Sequence, residues 1–162
     1  MILGITGSSG AGKSTVCEIL ERKYSSQTIN ADKIAKQLSK QGTNYLQEII
    51  QNFGDDILLE DGELNRRKLA NIIYSNPEKR DELNNITFKY IKNEIKEQIA
   101  KSNNNIIAID APLLLEANLQ EICDKTIAVI SEDRNLQIKR IIKRDNIDKE
   151  RYEVVPIYIT KD

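Results

Sequence analysis

The most constraining feature of this sequence is a glycine-rich segment, Gly7–Ser14, which reads G-S-S-G-A-G-K-S. It matches the pattern G-x-x-x-x-G-K-[ST], the P-loop, in which backbone N–H groups surround phosphate oxygens. An apolar run rich in β-branched residues precedes it (residues 1–6), and residues 14–23 follow with apolar side chains at helical spacing. The motif requires this order of strand, loop and helix, which a chance glycine-rich turn would not explain. The segment therefore predicts a site for a nucleoside triphosphate.

The loop chemistry assigns roles to the residues at its end. The Lys13 ammonium can reach the β- and γ-phosphates, and the Ser14 hydroxyl can ligate Mg²⁺. The helix that begins there adds the positive end of its dipole. We therefore expect the nucleotide to be bound by Ser9, Gly10, Ala11, Gly12, Lys13, Ser14 and Thr15.

Composition narrows the functional classes. A chain of 162 residues is long enough for one domain with a single core, and a net charge of −1 does not indicate a broad nucleic-acid footprint. No apolar run approaches the roughly 20 residues of a membrane span, so a cytoplasmic location is expected. The sequence has no histidine, so a proton acceptor must be a carboxylate, a lysine or a less usual group. The two cysteines, Cys17 and Cys123, are expected to be reduced core thiols.

Predicted strands alternate with predicted helices along the chain. This alternation indicates an α/β fold with a parallel sheet covered on both faces, and ligands in such sheets bind beyond the carboxyl ends of the strands. The expected strands are residues 1–6, 27–30, 106–110 and 125–130. The expected helices are residues 14–23, 33–40, 45–53, 66–74, 78–101 and 133–143.

Two aspartates follow predicted strands. Asp110 ends an apolar strand, as does the Walker B acid that helps to hold Mg²⁺, although a strand-end aspartate is often only a helix cap. Asp32 follows the second strand and is either an N-cap or the carboxylate that accepts a proton from a substrate hydroxyl during phosphoryl transfer. The lack of histidine favours the second interpretation.

Three arginines are candidates for binding anions. Arg140 and Arg144 are four residues apart on one helix face, where they either clamp a transferred phosphoryl group or belong to a solvated basic face. Arg66 opens a helix, where a basic residue opposes the dipole, and this hints at an anionic partner.

The remaining motifs favour a small-molecule kinase. The sequence has no base-reading N-K-x-D of GTPases and no L-S-G-G-Q of transporters. Several segments instead resemble the dephospho-coenzyme A kinase family. Residues 31–35 (A-D-K-I-A) are similar to its D-A-D-x-I-A segment, and residues 61–69 to its D-G-x-L-D-R-x-x-L. Residues 110–116 (D-A-P-L-L-L-E) are similar to its P-L-L-F-E block, and residues 137–145 to the start of its lid.

The resemblance runs from residue 1 to about residue 150, and it implies an architecture. The expected fold is a three-layer α/β/α arrangement of the P-loop NTPase type with a parallel sheet. Residues 1–150 would form the kinase domain, with a helical acceptor-side segment at about 45–101 and a partial lid at about 132–150. We expect a monomer or small homo-oligomer that acts on a small molecule, without a nucleic-acid or membrane partner.

The resemblance also implies an activity and its residues. The reaction would be ATP-dependent phosphorylation of the ribose 3′-hydroxyl of dephospho-coenzyme A, with Mg²⁺ present. The catalytic residues would be Lys13, Asp32 and Arg140, with Arg144 also on the nucleotide. Ser14 and Asp110 would hold the metal. The acceptor would be bound by Asp32, Arg66, Pro112, Leu113, Leu114 and Glu116.

The sequence departs from the family pattern at three places. Ser8 and Ser9 stand where the family P-loop has Gly-Ile, and Phe88-Lys89 replaces a His-Pro pair. Residues 151–162 form an atypical tail, which is expected to be loosely packed. Two alternatives stay open: a nucleotide-binding remnant whose incomplete lid impairs catalysis, and a P-loop kinase of another nucleoside or nucleotide.

Overall fold

A computed structural model describes residues 1–131 and 133–145, with side chains through residue 143. The chain divides into two compact units. One contains Met1–Ile29 and the residues from Ser102 onward, and we call it the sheet unit. The other contains Asn30–Lys101, and we call it the helical unit.

The sheet unit is built on four strands: β1 (Ile2–Thr6), β2 (Gln27–Asn30), β3 (Ile107–Asp110) and β4 (Lys125–Ala128), of which only the last residue of β2 belongs to the helical unit. Their order in the sheet is β2-β3-β1-β4, and β1 runs parallel to both of its neighbours. Most residues of β1 and β3 are buried and apolar, as expected for central strands of a parallel sheet. The predicted α/β fold with a parallel sheet is therefore confirmed.

The last strand differs from its prediction. β4 ends at Ala128, two residues earlier than predicted, and all four of its residues are exposed. It forms one end of the sheet order, so β1 is its only strand neighbour within the described residues. The prediction of a sheet covered on both faces is therefore wrong for β4.

Two helices of the sheet unit lie close to the phosphate-loop segment. Helix α1 (Lys13–Tyr24) follows it directly and buries Cys17 in a cluster with Leu3, Ile5 and Ala108. Helix α6 (Arg134–Asp145) comes late in the chain and buries Gln137 and Ile141.

The helical unit contains helices α2 (Ala31–Leu38), α3 (Asn44–Phe53), α4 (Arg66–Ser75) and α5 (Pro77–Lys101). Pro77 occupies the first position of α5, where its missing N–H costs no hydrogen bond. The amphipathic faces of these helices meet in one core, which is formed by Tyr45, Leu46, Ile49, Ile57, Leu64, Leu69 and Ile86.

Helix α2 starts earlier than predicted. Asn30 is its N-cap, and the Asn30 side chain accepts a hydrogen bond from the Lys33 N–H at 2.8 Å. Asp32 is therefore a first-turn residue of α2, and the N-cap alternative for Asp32 is wrong.

Part of the predicted lid and tail falls outside the described residues. The Arg144 side chain, residues 146–150 of the lid and the tail 151–162 belong to this part. Among the helices that are described, none combines the length and apolar character that crossing a membrane requires.

Candidate active site

The P-loop needs glycine at its first position for two reasons. Gly7 has φ +139°, which a side chain disfavours, and an added Cβ would lie 2.2 Å from the Val129 carbonyl oxygen. Val129 cannot retreat easily, because its N–H donates to Thr6 O at 2.8 Å and so extends the pairing of β4 with β1. The turn that leads from β1 into the loop therefore depends on the missing side chain.

Helix α1 begins directly after the P-loop, so its first turn lies beside the loop glycines. Gly12 has φ +110° and caps α1 without a side-chain hydrogen bond. The first turn of α1 contains no acidic residue. The first N–H groups of a helix lack partners within the helix and carry partial positive charge, so this end of α1 suits an anion. Ser14 and Thr15 are exposed in this first turn.

The Lys13 ammonium lies over the loop. Its Nζ donates to the Gly7 carbonyl at 2.8 Å and to the Ser8 carbonyl at 3.3 Å. A phosphate oxygen bears a formal negative charge that a carbonyl lacks, so a bound phosphate would compete well for this ammonium. The predicted phosphate-binding lysine therefore lies at the loop, where its Nζ donates to two uncharged carbonyl oxygens.

Arg140 reaches the loop from helix α6. Its Nη1 donates to the Gly10 carbonyl at 3.3 Å, although the two residues are 130 positions apart in sequence. A solvent-open cavity lies at this point. The structure therefore brings Arg140 together with predicted nucleotide-binding residues, since the lining consists of Gly10, Gly12, Lys13, Ser14, Arg140 and Ile141.

Asp110 is a buried acid at the same edge of the sheet. Asp110 is the last residue of β3 and is 7% exposed. The pKa of the Cys17 thiol is raised to about 11 by burial first and then by the Asp110 and Glu21 carboxylates, while Thr28 and Lys13 act in the lowering direction. The Asp110 carboxylate and the Lys13 ammonium thus both lie within electrostatic range of Cys17, a residue one helical turn after Ser14.

The segment after β3 has both buried and exposed residues. The Thr6 hydroxyl donates to the Pro112 carbonyl at 3.1 Å, which ties the segment to the end of β1. Leu114 is 0% exposed and lies against Gly4, where an added Cβ would be 2.7 Å from Leu114 Cδ1. The buried Leu114 side chain thus anchors the segment against β1. Leu113 and Glu116 are exposed and remain available to a ligand.

The two remaining predicted site residues belong to the helical unit. Asp32 is exposed in the first turn of α2, two positions after β2 ends. Arg66 is exposed at the start of α4, and its charge acts to lower the pKa of Tyr45, which burial raises overall. The Tyr45 hydroxyl also lies 3.0 Å from Thr87 Oγ1. A positive charge and two hydroxyl groups are therefore grouped in this unit.

Sequence reasoning gave no role to Gln137 and Ile141, although both contact the P-loop. Gln137 Nε2 donates to Ser8 Oγ and Ser9 O, and Ile141 Cγ1 lies 2.9 Å from where a Cβ on Gly10 would be. The sequence could have indicated Gln137 as a neighbour of the P-loop. It is three residues before Arg140, and residues at this spacing share a helix face.

Comparisons with known proteins agree with this geometry. A family model described as dephospho-CoA kinase matches residues 1–156. A dephospho-CoA kinase of Fusobacterium nucleatum is 41% identical over 155 residues, which cover 96% of this chain and 79% of the relative. One from Streptococcus pneumoniae R6 is 39% identical and covers 94% of this chain and 76% of its own length.

Solved structures give the same result. The dephospho-CoA kinase of Campylobacter jejuni superposes with a TM-score of 0.60 at 28% identity, covering 94% of this chain and 76% of its own. The protein TT1252 from Thermus thermophilus superposes with a TM-score of 0.77 at 25% identity, covering 93% of this chain and 75% of its own. With the P-loop, the strand-end acid and this coverage taken together, the chain belongs to the dephospho-CoA kinase family.

Proposed function

We propose that the chain catalyses the ATP-dependent phosphorylation of dephospho-CoA to CoA, with the ribose 3′-hydroxyl as the acceptor. Family membership over residues 1–156 supports the activity. The observation that carries the site assignment is the cavity at which Lys13 and Arg140, from helices far apart in sequence, meet the P-loop glycines. Two cations and a set of backbone N–H groups around one space suit the triphosphate of ATP.

The P-loop would bind the phosphates of ATP chiefly through its backbone. Its residues 9–12 supply N–H groups, and the first turn of α1, with Ser14 and Thr15, supplies more. Lys13 would leave the Gly7 and Ser8 carbonyls for a β- or γ-phosphate oxygen, because a hydrogen bond to a charged acceptor is stronger. ATP binding would thus exchange two intraloop contacts for a charged one.

Arg140 would stabilise charge on the transferred phosphoryl group. It is exposed and already within hydrogen-bond distance of the loop, so a small rotation of its side chain is sufficient to meet a phosphate. A guanidinium offers several donors in a plane, which suits phosphoryl oxygens. Arg144, one helical turn later, is proposed as a second contact from its position in sequence alone.

The residues that would hold Mg²⁺ have suitable chemistry. Mg²⁺ prefers hard oxygen ligands and is usually bound by one or two carboxylates together with substrate phosphates. Ser14 offers a hydroxyl beside the loop, and Asp110 offers a buried carboxylate at the same sheet edge. When bound, the ion would neutralise phosphate charge.

Asp32 is proposed as the proton acceptor. The chain has no histidine, and Asp32 is an exposed carboxylate two positions after strand β2 ends. It would take the proton of the 3′-hydroxyl as the new oxygen–phosphorus bond forms and the bond to ADP breaks. The acceptor side is proposed to include Arg66, Pro112, Leu113, Leu114 and Glu116.

The test is Mg²⁺-dependent ADP formation from ATP, with and without dephospho-CoA. We expect turnover that requires the acceptor, and mass spectrometry of the nuclease-digested product should place the phosphate on the ribose 3′ position. A Lys13→Ala variant measured in parallel should lose the activity.

Two results would contradict the proposal in different ways. ATP binding by a folded protein without acceptor-dependent ADP would support the nucleotide-binding remnant. ADP formation that other nucleosides or nucleotides stimulate and dephospho-CoA does not would support a different acceptor.

A further inference from the structure

A buried glutamine that the proposed mechanism leaves unused joins helix α6 to the P-loop. Gln137 Nε2 lies 2.8 Å from Ser8 Oγ and 2.6 Å from Ser9 O. A primary amide nitrogen carries two hydrogens, so it can donate to both oxygens at once. Gln137 is 9% exposed, and buried polar groups of this kind are costly to leave without partners. The contact is therefore an integral part of the packing of α6.

The backbone of α6 lies equally close to the loop. An added Cβ on Gly10 would be 2.8 Å from the Gln137 carbonyl oxygen and 2.9 Å from Ile141 Cγ1. The two hydrogen bonds of Gln137 thus act at a place where helix and loop are already in van der Waals contact. Little space remains for the segment from Ser8 to Gly10 to take another course while Gln137 holds it.

The planarity of the peptide bond links this contact to the orientation of the next backbone N–H. The Ser9 carbonyl and the Gly10 N–H belong to one planar trans peptide and point in opposite directions. When Gln137 holds the Ser9 oxygen, it also fixes the direction of the Gly10 N–H, on the side away from the amide. Gly10 lines the cavity proposed for the phosphates, so the orientation of this peptide decides which of its backbone groups can face a ligand there.

We propose that Gln137 is a positioning residue that holds Ser8–Gly10 in the conformation that receives the phosphates of ATP. The Ser8 hydroxyl is its second acceptor, and a glycine at position 8 would lack it. This inference rests on the proposed binding of ATP at the P-loop, but not on the identity of the acceptor.

The experiment measures ATP binding directly, by calorimetric titration with ATP and Mg²⁺ in the absence of dephospho-CoA. Gln137→Met keeps the length and the helix propensity of the side chain but removes both donors. Ser8→Ala removes one acceptor. Asn135→Ala is the matched control, because Asn135 is an exposed amide residue on the same helix.

We expect Gln137→Met to raise the Kd for ATP about tenfold and Ser8→Ala about threefold, which corresponds to the loss of two and one modest hydrogen bonds. In the Gln137→Met background, Ser8→Ala should cause no further change, because the donor has gone. Asn135→Ala should match the unsubstituted chain. In turnover assays, the KM for ATP should rise in Gln137→Met while the KM for the acceptor stays the same.

Several results would overturn the inference. One is a Gln137→Met protein whose Kd for ATP stays within twofold of the unsubstituted chain. Another is a pair of substitutions whose effects multiply, since that would mean that Gln137 and Ser8 act separately. If Gln137→Met does not fold, Ser8→Ala alone decides, and an unchanged Kd contradicts the proposal.

The two proposals fail in distinguishable ways. If the unsubstituted chain binds ATP, and Gln137→Met binds it more weakly, but dephospho-CoA is not phosphorylated, the role of Gln137 stands and the proposed acceptor is wrong. If the unsubstituted chain phosphorylates dephospho-CoA and Gln137→Met binds ATP equally well, the proposed function stands and the role of Gln137 is wrong. A chain that does not bind ATP at all would overturn both.

Discussion

Ile5 on β1 and Asp110 on β3 are register partners in the parallel sheet, and the N–H that follows Asp110 donates to Ile5 O at 3.0 Å. The P-loop starts two residues after Ile5. A buried carboxylate and the phosphate-binding loop are therefore fixed side by side by backbone pairing alone. This relationship makes Asp110 the strongest candidate for an effect on Mg²⁺.

We predict that Asp110→Asn weakens the response to Mg²⁺. The substitution keeps the size of the side chain and removes its charge. The Mg²⁺ concentration for half-maximal activity should rise by on the order of tenfold, as is typical when a metal site loses one of its oxygen partners. The measurement is a Mg²⁺ titration of ADP formation at constant free ATP.

The control for this prediction lies at the opposite end of the sheet. Asp124 accepts a hydrogen bond from the Ile2 N–H at 2.7 Å, where β1 begins. Asp124→Asn should lower the free energy of unfolding by about 1 kcal/mol and leave the Mg²⁺ titration unchanged. An Asp110→Asn protein with the same Mg²⁺ dependence as the unsubstituted chain would remove Asp110 from the metal site.

We predict that Lys13→Ala lowers kcat/KM for ATP by a factor on the order of 10²–10³, because a preorganised charge at the phosphates is lost. The loop carbonyls of Gly7 and Ser8 accept hydrogen bonds from its Nζ, so the free energy of unfolding is measured alongside the activity. Lys23→Ala removes the same charge from the exposed last turn of α1 and should keep full activity. If Lys13→Ala retains the activity, the P-loop is not the phosphate site.

The local parts of the site were predictable from sequence. An apolar β-branched run, a glycine loop and an apolar stripe at helical spacing are short-range patterns, and they gave β1, the P-loop and α1 within one or two residues. Asp110 was placed at the carboxyl edge because a parallel sheet aligns strand ends. The residues that determine each of these elements are neighbours in sequence, and the parallel sheet then aligns the ends of the strands.

The parts that sequence reasoning missed depend on tertiary contacts. Gln137 meets Ser8 and Ser9 across nearly 130 positions of chain, and only the folded helix α6 brings them together. The exposure of β4 follows from its place at the end of the sheet, which its own residues do not reveal. The early start of α2 is a local exception, because the Asn30 side chain caps the helix and so removes only the N-cap alternative for Asp32.

We predict that Gly7→Ala severely destabilises the sheet unit. The new Cβ would meet the Val129 carbonyl oxygen at 2.2 Å, at a backbone φ of +139°. Relief requires movement of backbone that pairs β1 with β4, so a loss of about 3 kcal/mol or more in the free energy of unfolding is expected. Urea denaturation followed by circular dichroism measures it.

Gly42→Ala is the matched control for backbone strain alone. Gly42 also has a positive φ, +84°, but no atom of the described residues lies within 4 Å of the added Cβ. It should cost about 1–2 kcal/mol and leave ADP formation intact. Equal losses for Gly7→Ala and Gly42→Ala would mean that the contact with Val129 does not constrain the loop.

We predict that Cys17 reacts slowly with iodoacetamide and that its reactivity keeps rising above pH 9. Burial, followed by the charges of Asp110 and Glu21, raises its pKa from 9.0 to about 11. The thiolate is the reactive form, so the folded protein should hold about a hundredfold less of it than the unfolded chain near pH 8. Peptide mapping by mass spectrometry separates Cys17 from Cys123. A rate that levels off near pH 9 in the folded protein would contradict the prediction.

The direction of the same shift has consequences for stability and for the neighbouring charges. A thiol whose pKa is higher in the folded state contributes stability below pH 9, and this contribution is lost as the pH rises toward 11.

Asp110→Asn removes a charge that raises the pKa of Cys17, so the variant should be alkylated faster at pH 8. Lys13→Ala removes a charge that lowers this pKa and should be alkylated more slowly. Glu18→Gln, an exposed carboxylate on the same helix, should leave the rate unchanged, and equal rates in all of these variants would mean that Asp110 and Lys13 are not close to Cys17.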